Sequence, residues 1–96
     1  MSISITVDTG TGNMTVAPSA AYFAPLDTVM WQLQNGTSLT IAFKDQSPFS
    51  VHQLRGGASL EASILTDAKG VYHYSVSALV DGKIYTIPGC PEIIVQ

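Results

Sequence analysis

Gly70-Val71-Tyr72-His73-Tyr74-Ser75-Val76-Ser77 alternates in character residue by residue. Tyr72, Tyr74 and Val76 share one side of an extended chain, and Val71, His73, Ser75 and Ser77 share the other. That is the period-two signature of a half-buried β-strand. Gly70 stands two residues before Tyr72, the spacing of a corner in which a tyrosine hydroxyl bonds back to the backbone as a strand enters a β-sandwich. The chain closes on Pro91-Glu92-Ile93-Ile94-Val95, a second short apolar strand in which Ile94 points away from Ile93 and Val95.

Outward from this stretch the same period recurs. Downstream, Asp81-Gly82 is a strong hairpin signal and Ile84 to Ile87 returns. Pro88-Gly89-Cys90-Pro91 reads as a kinked crossing into the last strand. Upstream, Asp67 to Gly70 is a turn, preceded by a strand in which Leu60, Ala62 and Ile64 alternate with Glu61 and Ser63. Residues 44–57 are irregular, with a short helical turn expected near Val51 to Leu54. Before them, Leu39, Ile41 and Phe43 point inward on a strand reached across Asn35-Gly36, the strongest short hairpin signal in the chain. The partner expected for that hairpin is Thr28 to Gln34, where Val29, Trp31 and Leu33 face one way. Residues 18–26 hold Pro18, Pro25 and several alanines and read as a loop, with Tyr22 and Phe23 plugging one end of the core. Met14-Thr15-Val16 is a short strand. It follows the turn Asp8 to Asn13 and a first strand with Ile3, Ile5 and Val7 on one face. About seven or eight short strands separated by turn signals, with no helical periodicity and no internal repeat, predict an all-β Greek-key β-sandwich forming a single domain over residues 1–96.

A chain of 96 residues buries roughly two-thirds of the surface its unfolded form exposes, enough for one sandwich core without metal or disulfide staples. Charged residues are 11% of the total, against about 25% in typical domains, and mean hydropathy is +0.27. A surface so poor in charge is weakly protected against association, so a homo-oligomer or a protein partner is expected, the alternative being a monomer coated with Ser and Thr. The net charge of −3 and the scatter of the four basic residues, Lys44, Arg55, Lys69 and Lys83, exclude nucleic acid as a partner, because phosphate contacts need clustered cations. No run approaches the roughly 18 apolar residues of a membrane span. The N-terminus alternates like a strand and lacks a basic leader segment. It therefore predicts a cytoplasmic protein, or a periplasmic or extracellular one if a leader has been removed. The one cysteine, Cys90, cannot form an internal disulfide. Asn13-Met14-Thr15 and Asn35-Gly36-Thr37 match the glycosylation pattern, which without a secretion signal reads as chance.

Three segments taken together resemble a known pattern: Met14-Thr15-Val16-x-Pro18, then Leu26-Asp27-Thr28-Val29-x-Trp31, then Gly70-x-Tyr72-x-Tyr74 followed by Cys90-Pro91-Glu92-Ile93-Ile94-Val95. In strand order, over nearly the whole chain, this is similar to the cupredoxin (plastocyanin/azurin-like) family. The resemblance implies a copper-carrying sandwich with a histidine opening the strand after Asn35-Gly36, a cysteine at the end of the Tyr72 strand, and a second histidine and an axial methionine beyond it. Here the first position is Leu39 and the second is Val76, and residues 77–96 contain neither histidine nor methionine. A blue-copper centre needs two imidazoles and a thiolate, usually with a weak thioether. The resemblance therefore implies the scaffold without its copper ligands and without cofactor.

Other residues suited to chemistry are scattered. A thiol at Cys90 needs a nearby cation or helix N-terminus to become reactive, and no Lys, Arg or His lies within six residues. A non-standard metal site would have to bring together His52, His73 and Cys90 from three distant segments. Serines abound without a Gly-x-Ser-x-Gly elbow. Met14 reads as core, whereas Met30, Ala42 and Ile94 are apolar residues on nominally outer faces and would form an association patch if contiguous. The leading expectation is a non-enzymatic, copper-free binding or assembly module that self-associates. Two alternatives stay open. One is a small metal-binding or redox protein using Cys90 and histidine; the other is a carbohydrate-binding or adhesive sandwich using the 44–57 loop, where Phe49 is the only aromatic.

Overall fold

A computed structural model describes residues 2–87 and 91–96, and among these there is no helix. Ten strands follow one another: β1 (Ser2–Asp8), β2 (Asn13–Ala17), β3 (Ala20–Phe23), β4 (Thr28–Leu33), β5 (Ser38–Phe43), β6 (Gln53–Gly56), β7 (Ser59–Ser63), β8 (Gly70–Val80), β9 (Lys83–Ile87) and β10 (Glu92–Val95). They form a four-stranded sheet in the order β2-β1-β4-β7 and a six-stranded sheet in the order β3-β10-β8-β5-β6, with β9 also paired to β8. β1–β4 and β3–β10 run parallel, and the other pairs are antiparallel.

The inner faces follow the alternation legible in the chain. Ile3, Ile5 and Val7 from β1, Val29, Trp31 and Leu33 from β4, Leu39, Ile41 and Phe43 from β5, and Tyr72, Tyr74 and Val76 from β8 are all buried. Period-two placement puts each of these side chains on the same side of its sheet, and burying both inner faces against each other removes them from water. Trp31 lies at the centre. Its indole meets Phe49 at 5.7 Å and Tyr74 at 5.8 Å, edge to face in both cases, and Phe43 packs on Phe49 and Tyr74.

The corner before β8 forms as its spacing predicts. Gly70 has φ +105°, a conformation that favours glycine. Three residues upstream of Tyr72, the Lys69 N–H donates to the tyrosine hydroxyl at 3.0 Å, and the hydroxyl donates to the Lys69 carbonyl at 3.1 Å. Asp81-Gly82 joins β8 to β9 as a tight hairpin. Both residues have positive φ, 50° and 76°, which matches the right-handed twist of the flanking strands.

Five expectations are corrected. There are ten strands rather than seven or eight, because two short ones lie in segments that read as irregular. Within residues 18–26, β3 pairs in parallel with β10 from the far end of the chain. Ala21 and Phe23 face inward, but Tyr22 faces solvent and plugs nothing. The segment around Val51 to Leu54 runs into β6, not a helical turn, because it completes the ladder beside β5.

Asn35-Gly36 is not a hairpin, since β4 and β5 belong to different sheets. The Asn35 amide instead extends the β1–β4 ladder. Asn35 Nδ2 donates to the Val7 carbonyl at 2.6 Å, and Asn35 Oδ1 accepts from the Val7 N–H at 3.2 Å. Gly36 is needed for close approach: a Cβ there would lie 2.7 Å from the Leu79 carbonyl oxygen and 2.5 Å from Leu33 Cδ2.

Candidate binding surface

The two positions where the resemblance places the first histidine and the cysteine, Leu39 and Val76, are inside the core. Leu39 faces Ala78 across β5–β8, and Ile41 faces Val76. Leu39 and Val76 are thus diagonal neighbours on one inner face, roughly 7–8 Å apart across the ladder. Both are buried, and neither offers a donor atom. The segment beyond Val76, where the resemblance calls for further ligands, continues as the arm of β8 and returns as β9. Among the described residues no group of three or more His, Cys, Asp or Glu side chains gathers.

The other candidate residues are dispersed. His73 stands exposed on the outer face of β8 opposite the half-buried Glu92 of β10, with Nδ1 3.6 Å from the Glu92 carboxylate. His52 borders a shallow depression with Asp45, Asp67 and Tyr72. Cys90 lies outside the described residues. Phe49 is buried against Trp31, so the 44–57 loop presents no aromatic ring to stack on a sugar. Met14 packs partly buried against the core, as expected. Met30 is half-buried on the outer face of the four-stranded sheet, whereas Ala42 and Ile94 belong to the six-stranded sheet, so these three do not make one patch. The error has a simple cause: alternation tells inner from outer but not which sheet a strand joins.

A different apolar row does exist. Ile94 is paired with Tyr22 on one side and Val71 on the other, so Tyr22, Ile94 and Val71 form a line across β3, β10 and β8. All three lie on the outer face; Tyr22 is 58% and Val71 54% exposed. The Val71 and Ile94 positions were legible in the sequence as outward-facing apolar residues. Tyr22 was not, because β3 shows no alternation strong enough to stand out between two prolines.

Beside this row the six-stranded sheet opens. β5 pairs with β8 only from Ser38↔Leu79 to Phe43↔Tyr74, after which the chain at Lys44 to Gln46 leaves β8. The gap is a groove of about 790 Å³ between Lys44–Gln46 and the first half of β8, from Val71 to Ser75. Tyr74 lines the groove with its backbone strand while its side chain enters the core, where burial of the hydroxyl pushes its pKa from 10.0 up to about 12, a rise slightly offset by the neighbouring Trp31. The indole N–H of Trp31 and the Tyr74 hydroxyl lie close to each other, yet neither has a partner of ordinary hydrogen-bond geometry among the described residues. A buried hydroxyl without an aligned partner gains little from mere proximity.

No protein-family model matches the sequence, and no curated protein sequence matches it. Solved structures do. The chain superposes on a purple cupredoxin from Nitrosopumilus maritimus with a TM-score of 0.55 at 19% identity, covering 97% of this chain and 98% of that one. It also superposes on a mutant amicyanin in its reduced Cu(I) form with a TM-score of 0.54 at 13% identity, covering 99% of this chain and 82% of that one. At these identities the likeness concerns the fold: this is a cupredoxin-like β-sandwich, as the strand motifs imply. Leu39 and Val76 stand in it where the resemblance places the first histidine and the cysteine. Among the described residues, no helix is long and apolar enough to cross a membrane.

Proposed function

We propose that this chain is a non-enzymatic, copper-free binding or assembly module that associates with copies of itself through the outer face of its six-stranded sheet. The observation that carries the reading is the Tyr22–Ile94–Val71 row, three adjacent apolar side chains on a solvent-facing sheet. A contiguous exposed apolar surface is the kind of feature that marks a contact site. The low charge of the chain supports the same reading, since little repulsion opposes association.

Sedimentation velocity across the micromolar range tests it. The wild-type protein is expected to sediment as a dimer or larger species, and Tyr22→Glu as a monomer of unchanged fold. A wild-type protein that stays monomeric throughout would remove self-association from the proposal. The copper-free part is tested separately by calorimetric titration with Cu(I) and Cu(II), for which no uptake is expected; uptake abolished by Cys90→Ser would favour a metal-binding role instead.

A further inference from the structure

The groove beside β8 exposes unpaired backbone as well as apolar side chains. In an extended strand, successive residues direct their N–H and C=O groups to opposite sides. The Tyr74 N–H donates to the Pro91 carbonyl, so Tyr74 and Tyr72 point toward β10. The Leu79 carbonyl accepts from the Thr37 N–H, so the odd-numbered residues of β8 point toward β5. Val71 and His73 therefore direct their backbone groups to the β5 side, where the register with β5 has already ended at Phe43↔Tyr74. Among the described residues no strand pairs with that side of β8 at Val71 or His73. The Phe43↔Tyr74 pairing still places the Lys44 N–H against the His73 carbonyl, so two N–H groups and the Val71 carbonyl face the groove.

We infer that this half-edge binds an extended peptide segment of a protein partner, which adds as a short antiparallel strand in line with β5. Such addition takes its affinity from main-chain hydrogen bonds and its selectivity from alternate side chains. The side chain placed opposite Tyr72 turns inward, toward Phe43, Tyr72 and Tyr74, and must be small and apolar. Its two neighbours lie on the outer face beside Val71 and His73. Lys44 and Asp45 on the far wall carry opposite charges, so the groove favours a segment of little net charge. The inference does not depend on the self-association proposed above. It concerns the open edge of β8, whereas that reading concerns the outer face, and Tyr22→Glu leaves the edge untouched.

Hydrogen exchange and peptide selection test it on the full chain. In the free protein the amides of Val71 and His73 should exchange rapidly while those of Tyr72 and Tyr74 are protected, an alternation within four residues. A displayed library of random octapeptides, selected on the immobilised protein, supplies the probe. A selected peptide should protect the Val71 and His73 amides. Its affinity should drop about tenfold or more for Val71→Pro, which removes a donor facing the groove and no ladder bond. Methylating the peptide nitrogens that face β8 should abolish binding, while methylating the alternate ones should not. The inference is overturned if Val71 and His73 are already protected in dilute free protein, if no library peptide binds, or if binding ignores the methylation pattern. Protection that grows with protein concentration alone would assign the edge to a second copy and reject the peptide. The exchange pattern reads out on the wild-type chain even if Val71→Pro does not fold.

Discussion

Replacing Tyr72 and Tyr74 one at a time with phenylalanine makes the same chemical change on the same face of β8, and the structure assigns the two changes opposite signs. The Tyr72 hydroxyl accepts from the Lys69 N–H at 3.0 Å and donates to the Lys69 carbonyl at 3.1 Å. Tyr72→Phe keeps the buried ring but removes both bonds. At about 0.5–1.5 kcal/mol each, with water able to reach the exposed Lys69, the loss should be about 1–2 kcal/mol. For a domain of this size that lowers the melting temperature by about 5–10 °C. Tyr74 is 1% exposed, and its hydroxyl has no aligned partner among the described residues. Tyr74→Phe removes a desolvated polar atom and leaves the ring contacts with Trp31 and Phe43 in place. It should be neutral or stabilising by up to about 1 kcal/mol. Urea unfolding followed by the fluorescence of Trp31 measures both, with the transition midpoint as the readout at unchanged slope. The reasoning fails if Tyr74→Phe destabilises as much as Tyr72→Phe, because the Trp31 N–H would then be donating a real hydrogen bond to Tyr74. It fails equally if Tyr72→Phe is silent, because the corner would then contribute nothing.

The same hydroxyl predicts an alkaline weakness. The folded pKa of Tyr74 is about 12 against an ordinary 10.0, so the stability it protects is fully present below pH 10 and is lost as pH rises through 12. The full loss is about 2–3 kcal/mol, of which about half is reached at pH 11, so between pH 8 and pH 11 the wild type should lose about 1–1.5 kcal/mol more than Tyr74→Phe in urea unfolding. Gly36→Ala should cost about 1–3 kcal/mol in the same assay, since its Cβ would press on the Leu79 carbonyl, which cannot move without breaking its bond from Thr37. Asn35→Ala leaves the N–H and C=O of the buried Val7 unpaired and should cost about 1–2 kcal/mol, whereas a simple turn asparagine would show almost no change.

How the two tyrosines behave depends on facts of different kinds, and the same division runs through the molecule. Which residues face inward on β1, β4, β5 and β8 was legible from local alternation, because the pleat repeats every two residues whatever the neighbouring strand is. The tyrosine corner and the Asp81-Gly82 turn were legible too, being contained within a few residues. Pairing is another matter. Asn35-Gly36 carries a hairpin signal and yet crosses between sheets. β3 finds a parallel partner some seventy positions away. Met30 and Ile94 share a period but not a sheet. Each of these outcomes depends on contacts between distant segments, whose energies no local pattern records. The site divides likewise. Aliphatic residues at Leu39 and Val76 could be read from the strand motifs alone, but the Tyr22–Ile94–Val71 row and the open edge at Val71 and His73 exist only because β10 lies between β3 and β8 and because β5 stops short of the end of β8.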